Sequence, residues 1–348
     1  MIKPKSLMPG SKIAIISPSS GLPYLFPEIY ELGLKNLSEV LGFEIVEMPT
    51  SRMSSDELYN NPQLRASDIN DCFKDDSING MITSIGGYES IRILPYLDTE
   101  AILNHPKFIM GFSDATTFLS YLNQLGLVTF YGLSVMAGLA QIRSLPYEFT
   151  EHLKSMLLSN QFPYRYFPYD KWTNGYKDWS DRETLGECQE FHENKKGWAF
   201  LQGASVVQGY LWGGCIEVLE FMKSTVYWPS EAFWKDRILF FETSEEKPSP
   251  MEVGSMLRNY GMQGIFSQIN GIILGRAKDY SDEEKLNLNE IALSVVKDEF
   301  SADHVPIIVD FDFGHTDPKL ILPLGGKVEL NPETKEITLM DNPFEALQ

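Results

Sequence analysis

Lys107-Phe-Ile-Met-Gly-Phe-Ser-Asp-Ala-Thr-Thr-Phe-Leu119 runs an apolar, strand-like stretch straight into a helical pattern. Phe118, Leu119, Leu122 and Leu125 share one face of that helix. Between the two lies Gly111-Phe-Ser-Asp-Ala115, a serine two residues from a small residue on either side. This is the small-x-Ser-x-small pattern of a nucleophile elbow. Gly111 and Ala115 leave room for a sharp turn that lifts the Ser113 hydroxyl to a helix N-terminus. The N–H of Asp114 then points to where an oxyanion would form. The same residues also read as an ordinary N-cap, with Ser113 accepting from the first helical N–H groups.

Working outward, strands and helices alternate. Lys12–Ser17 is a β-branched run closed by Pro18-Ser-Ser-Gly21, and Glu28–Leu41 has helical spacing. Phe43–Met48 is a second strand, Gln63–Phe73 a helix, and Gly80–Ile85 a third strand broken by Gly86-Gly87. Leu127–Tyr131 follows the elbow helix as a further strand. Such alternation predicts an α/β fold with a doubly wound, mostly parallel sheet over residues 1–160. Ligands bind such sheets beyond the carboxyl ends of the strands. Ser113 and Gly86-Gly87 both follow strand ends.

Residues 161–200 have no clear period, are dense in aromatic and charged residues, and hold Trp172, Trp179 and Trp198. They read as a linker and loop, either covering a site or packing on a second domain. Residues 201–348 read as a second α/β domain, with strands at Ser205–Leu211, Arg237–Phe241, Gly271–Leu274 and Pro306–Asp310.

Composition excludes several functions. The 348 residues are 43% hydrophobic and carry a net charge of −19, from 48 acidic and 29 basic residues. That suits two globular domains and argues against nucleic acid polymers and anionic membranes as partners. Cys72, Cys188 and Cys215 form no disulfide framework. The five histidines have no metal-ligand spacing, so no metal site is expected. No apolar run approaches a membrane span, and the N-terminus lacks a signal-peptide core, which predicts a cytoplasmic protein.

An elbow serine needs a base, and the base needs an orienting group. His105, His152, His192 and His304 lie in polar or helical settings. His315 follows a buried strand on a short loop between Gly314 and Pro318. It is placed either for chemistry or for a structural hydrogen bond to Asp312 or Asp317. Glu242 ends the apolar run Ile238-Leu-Phe-Phe-Glu242, where a carboxylate would be held and desolvated. Glu245 and Glu246 compete for the same role and read as solvated. The order Ser113, Glu242, His315 matches the Ser…Glu…His order of one hydrolase class. It would put the site between the two domains.

With these residues in hand, the chain resembles the LD-carboxypeptidase family of serine peptidases, and within it the branch of microcin C immunity proteins. The resemblance runs through Leu7-Met-Pro-Gly-Ser-Lys-Ile-Ala-Ile-Ile-Ser-Pro-Ser-Ser20, Ile85-Gly-Gly-Tyr88, Leu94-Pro-Tyr-Leu-Asp98 and Gly111-Phe-Ser-Asp-Ala-Thr116. It continues through Gly209-Tyr-Leu-Trp-Gly-Gly214, Ile238–Glu242, Gly271-Ile-Ile-Leu-Gly-Arg276 and Asp312-Phe-Gly-His315. It implies Ser113 as nucleophile, Glu242 as acid and His315 as base, with the N–H groups of Gly87 and Asp114 as oxyanion hole. It further implies a C-terminal domain built around a small β-barrel, a homodimer, and no cofactor. Murein-recycling members commonly carry Arg-Gly-Gly-Tyr-Gly where this chain has Ile85-Gly-Gly-Tyr-Glu89, and often Gly-Gly-Asn where it has Gly213-Gly-Cys215. The first departure and the aromatic loop look more like the immunity branch, which cleaves an aminoacyl group from a nucleotide-like moiety. By that resemblance Trp179 would stack on the base. Arg92 and Arg276 are candidate anion contacts, or else structural ion pairs. The alternatives are a murein LD-carboxypeptidase that removes terminal D-alanine, and a non-catalytic binding protein of the same fold.

Overall fold

The computed structural model describes residues 1–345, so the last three residues of the 201–348 span lie outside it. The first strands are β1 (Lys12–Ile16), β2 (Glu44–Glu47), β3 (Gly80–Thr83), β4 (Phe108–Gly111) and β5 (Thr129–Tyr131). The aromatic segment supplies β6 (Tyr164–Arg165), β7 (Lys171–Thr173), β8 (Phe191–Glu193) and the start of β9 (Ala199–Gln202). Next come β10 (Val207–Cys215), β11 (Arg237–Glu242), β12 (Gly271–Gly275) and β13 (Ile307–Phe311). The chain closes with β14 (Leu322–Leu324), β15 (Lys327–Asn331) and β16 (Glu336–Leu339).

The first sheet has the order β14-β5-β4-β3-β1-β2. Its pairs from β5 to β2 are parallel, and only β14 joins antiparallel. This is a doubly wound order with its switch point between β1 and β3. The central strands are short, apolar and buried on both faces, with all four residues of β3 and of β4 buried, while the edge strand β2 is partly exposed. The flanking helix Pro27–Leu41 starts on Pro27 and stops at Gly42, whose φ of 74° is left-handed.

The second sheet runs β6-β16-β15-β10-β11-β12-β13-β9, parallel from β10 to β13 and antiparallel at both flanks. Its hydrogen bonding is that of an eight-stranded mixed sheet running from β6 to β9. Serine capping boxes start the helices Pro250–Met262 and Asp282–Leu293. Residues 161–200 are more than a connection: they give strands to the second sheet and pair β7 with β8. These strands are two to four residues long, too short for a period to register. In return β14, from the C-terminal span, joins the first sheet on β5. The two halves are therefore interleaved, and one hydrophobic core runs through both.

Candidate active site

Ser113 leaves β4 with a φ of +59°, a left-handed conformation that side chains rarely adopt. Gly111 makes the turn possible. A Cβ there would meet Ala115 Cβ and Thr83 Oγ1 at 2.8 Å each. The N-cap alternative does not hold: among the described residues no backbone N–H donates to Ser113 Oγ. The half-buried Ser113 Oγ lies instead 3.1 Å from Nε2 of His315.

His315 comes from the loop after β13. Its Nδ1 lies 2.7 Å from Oε2 of Glu242, which ends β11 with a fully buried side chain. Gly314, with φ +94°, permits the approach, since a Cβ there would sit 2.5 Å from Glu242 Oε2. The two structural partners considered for His315 are engaged elsewhere. Asp312 accepts from Trp198 Nε1 at 2.8 Å and from Arg276 Nη2 at 2.9 Å, and Asp317 pairs with Lys319 at 3.0 Å.

Tyr131 completes the constellation and was not singled out from the sequence. Its hydroxyl, at the end of β5, donates to Glu242 Oε1 at 2.5 Å and accepts from the Ser113 N–H at 3.0 Å. Burial, then the Glu242 charge, pushes this phenol well above its usual range, so it stays a neutral donor.

Gly86 and Gly87 lie against the elbow. The Gly86 carbonyl accepts from Ser20 Oγ at 2.7 Å, which turns the Gly87 N–H of the same trans peptide to the opposite side. Asp114 anchors the turn by accepting from the N–H groups of Glu89 and Ser90 at 3.0 and 2.8 Å. Among the described residues neither Gly87 N–H nor Asp114 N–H donates to a protein acceptor.

These groups open into a cleft of about 310 Å³, lined by Ile85, Tyr88, Phe112, Phe221, Tyr176 and Trp179 among others. That size suits a small molecule. Trp179 reaches the cleft from the 174–190 excursion between β7 and β8. It stacks on Tyr176 at 4.5 Å and meets Phe26 edge-on at 5.7 Å. The excursion is pinned to the His315 loop by Thr173 N–H to Asp317 O at 2.7 Å and its return bond at 3.0 Å.

Two expectations need correction. Arg276 is 5% exposed, bonds Asp312 and the Asp310 carbonyl, and does not line the cleft. Arg92 pairs with Glu89 at 2.7 Å and lies over Tyr59, also outside the cleft. Both are structural cations; the cations that line the cleft are Lys278 and Lys319. Glu245 is exposed, as expected, and also places Oε2 2.8 Å from His315 Nε2. The hydrogen bond to His315 holds the Glu245 carboxyl down at about 2. Burial alone would lower His315, but Glu242 and Glu245 outweigh it and raise it to about 9.

Chemically, this is a hydroxyl, an imidazole and a buried carboxylate in series, beside two free N–H groups. Among the described residues no cluster could hold a metal ion, and no helix is long and apolar enough to cross a membrane.

The LD-carboxypeptidase N-terminal domain matches residues 13–132 and the LD-carboxypeptidase C-terminal domain residues 208–330. A Vibrio cholerae protein named as a carboxypeptidase is 29% identical, over 96% of this chain and 97% of its own. The microcin C7 self-immunity protein MccF of Escherichia coli is 28% identical, over 80% of this chain and 78% of its own. An MccF-like protein from Streptococcus pneumoniae, solved in complex with AMP, superposes with a TM-score of 0.84 at 28% identity, covering 96% of this chain and 99% of that one.

Proposed function

The chain belongs to the LD-carboxypeptidase family, and from that premise we propose a serine hydrolase that cleaves the amide between an aminoacyl group and a nucleotide-like moiety. The observation that carries the reading is the series Ser113 Oγ, His315, Glu242, at 3.1 and 2.7 Å, opening into a cleft that Trp179 lines.

Ser113 attacks the aminoacyl carbonyl while His315 Nε2 takes its proton. The N–H groups of Gly87 and Asp114 receive the oxyanion. His315 returns the proton to the departing nitrogen, then activates the water that releases the acyl group. Glu242 holds the imidazole tautomer, and Tyr131 holds Glu242. Trp179, stacked on Tyr176 where it lines the cleft, receives the base in this reading. The AMP complex of the Streptococcus pneumoniae relative and the immunity function named for the Escherichia coli relative support this choice of substrate. The family resemblance also supports a homodimer, which light scattering of the purified protein reads directly.

A second reading, removal of terminal D-alanine from a murein tetrapeptide, is favoured by the family's own name and by Lys278 in the cleft, where a terminal carboxylate could pair. Turnover of an aminoacyl-sulfamoyl adenosine and of an L,D-tetrapeptide, followed side by side, separates the two. Preference for the first supports the proposal, and cleavage of the tetrapeptide alone overturns it. Trp179→Ala is expected to raise KM for the nucleotide conjugate about tenfold or more, since stacking contributes roughly 1–3 kcal/mol. An unchanged KM would remove Trp179 from the base site.

A further inference from the structure

Nε2 of His315 faces two acceptors. Ser113 Oγ lies 3.1 Å away and Oε2 of Glu245 lies 2.8 Å away. Each imidazole nitrogen carries at most one hydrogen, and Nδ1 already faces Glu242. A hydrogen on Nε2 meets Ser113 Oγ with hydrogen-bond geometry and Glu245 Oε2 at ion-pair distance, and the charge of the nearer carboxylate favours keeping that hydrogen on the ring. The ring is then an imidazolium between two carboxylates, without a lone pair for the Ser113 proton. We propose that Glu245 is a positioning residue that occupies Nε2 of His315 and keeps the base closed to Ser113 until substrate displaces it. This rests on the reading of Ser113, His315 and Glu242 as the reacting group.

The two carboxylates differ in mobility. Glu242 has a side chain 0% exposed and is fixed by Tyr131, whereas that of Glu245 is 51% exposed on the loop after β11. Glu245 can turn to solvent at little desolvation cost, and Glu242 cannot. Substrate and Glu245 also need the same place. The departing amide nitrogen must come within about 3 Å of Nε2 to be protonated. When Glu245 leaves, the Nε2 proton passes to water; only that N–H bond breaks, and the neutral imidazole regains its lone pair.

The other charges around His315 do not supply the lock. On its own loop, Asp317 and Lys319 pair with each other. Glu217, from the helix Ile216–Met222, is raised by burial and bonded to Ser244. Lys278, beyond β12, lines the same cleft and its charge draws on Glu245. Burial would lower His315, and the raising contributions come from Glu242 and Glu245 alone.

The test is the pH profile of kcat/KM for the full-length protein and its Glu245→Gln variant, read beside the imidazole NMR titration of His315 in a Ser113→Ala background. Wild type should gain activity as pH rises toward about 9. In Glu245→Gln the limb and the NMR titration should both move to lower pH, with about tenfold more activity at pH 7 for each unit moved. KM should fall as well, and Glu245→Asp should restore the wild-type profile. An NMR titration unmoved by Glu245→Gln overturns the lock, as does a loss of activity with no shift in profile. Failure of wild type to label at Ser113 with a fluorophosphonate and to turn over at any pH strikes the triad reading instead.

Discussion

The Tyr131 hydroxyl is shared by the Ser113 N–H and the Glu242 carboxylate, and the carboxylate is cut off from water. Replacing it with phenylalanine keeps the ring packed and takes this partner from the Ser113 N–H and from Glu242 Oε1, while His315 still holds Oε2. Each loss costs about 1–3 kcal/mol. Tyr131→Phe is therefore expected to lower the melting temperature and to cut kcat more than it alters KM. A melting curve beside steady-state kinetics checks both. Ser113→Ala and His315→Ala should each lose about a million-fold in kcat, and the double variant little more, because such groups act as a unit. Additive losses would break the assignment. Two histidines also shape stability with opposite signs. His152 is buried, accepts from Ile321 N–H at Nε2 and gives its Nδ1 hydrogen to Tyr164, and burial lowers it from 6.5 to about 3. Its neutral form is native, so stability is full above 6.5 and falls as pH drops toward 3. His315 is raised, so its contribution is full below 6.5 and is lost as pH climbs through about 9. Melting temperature against pH should decline on both sides, and His152→Gln should flatten the acid side.

At the scale of elements, the elbow was legible because it is local. A buried strand, a small-x-Ser-x-small turn and an apolar helix face lie within about twenty residues, and each limits the next. The carboxyl-end positions of Glu242 and His315 were legible for the same reason: an apolar run that stops on a charged or glycine-flanked residue marks a strand end. Glu245 is exposed as read, but its contact with His315 was not legible because that neighbour lies 70 positions away in sequence. Tyr131 gave no signal beyond being a polar tip on a buried strand. The arginines misled because a cation's partner is a tertiary fact; Asp312 claims Arg276 through the fold alone. The excursion carrying Trp179 was visible only as aromatic density, since a three-residue hairpin is set by its anchors at Asp317 and at Ser144 rather than by its own pattern.

On the whole-molecule scale, the nucleophile belongs to one sheet, and the acid and base follow strands of the other. The doubly wound first half was readable from strand–helix alternation. The return of β14 to the first sheet was not, because a three-residue buried strand can pair with either sheet. Polar ties cross between the halves, among them Tyr131 to Glu242, Gln124 to the Tyr227 carbonyl and Trp212 to the Ser120 carbonyl. Thr116, at the start of the elbow helix, bonds the Ser113 carbonyl at 2.6 Å and receives the Cys215 N–H of β10 at 3.0 Å. Thr116→Val keeps the volume and removes both bonds. It is expected to cut kcat about tenfold or more, because a displacement near 1 Å between reacting groups suffices. Circular dichroism of the variant should remain native; unchanged kcat would mean that packing alone sets the register.

The central claim is that Ser113 carries the acyl group between the two half-reactions. Intact-protein mass spectrometry during turnover of an aminoacyl-sulfamoyl adenosine tests it most directly. The account predicts free sulfamoyl adenosine, a transient aminoacyl adduct on the peptide containing Ser113, and neither from Ser113→Ala. Product released at the wild-type rate by Ser113→Ala, or an adduct on another residue, would contradict it.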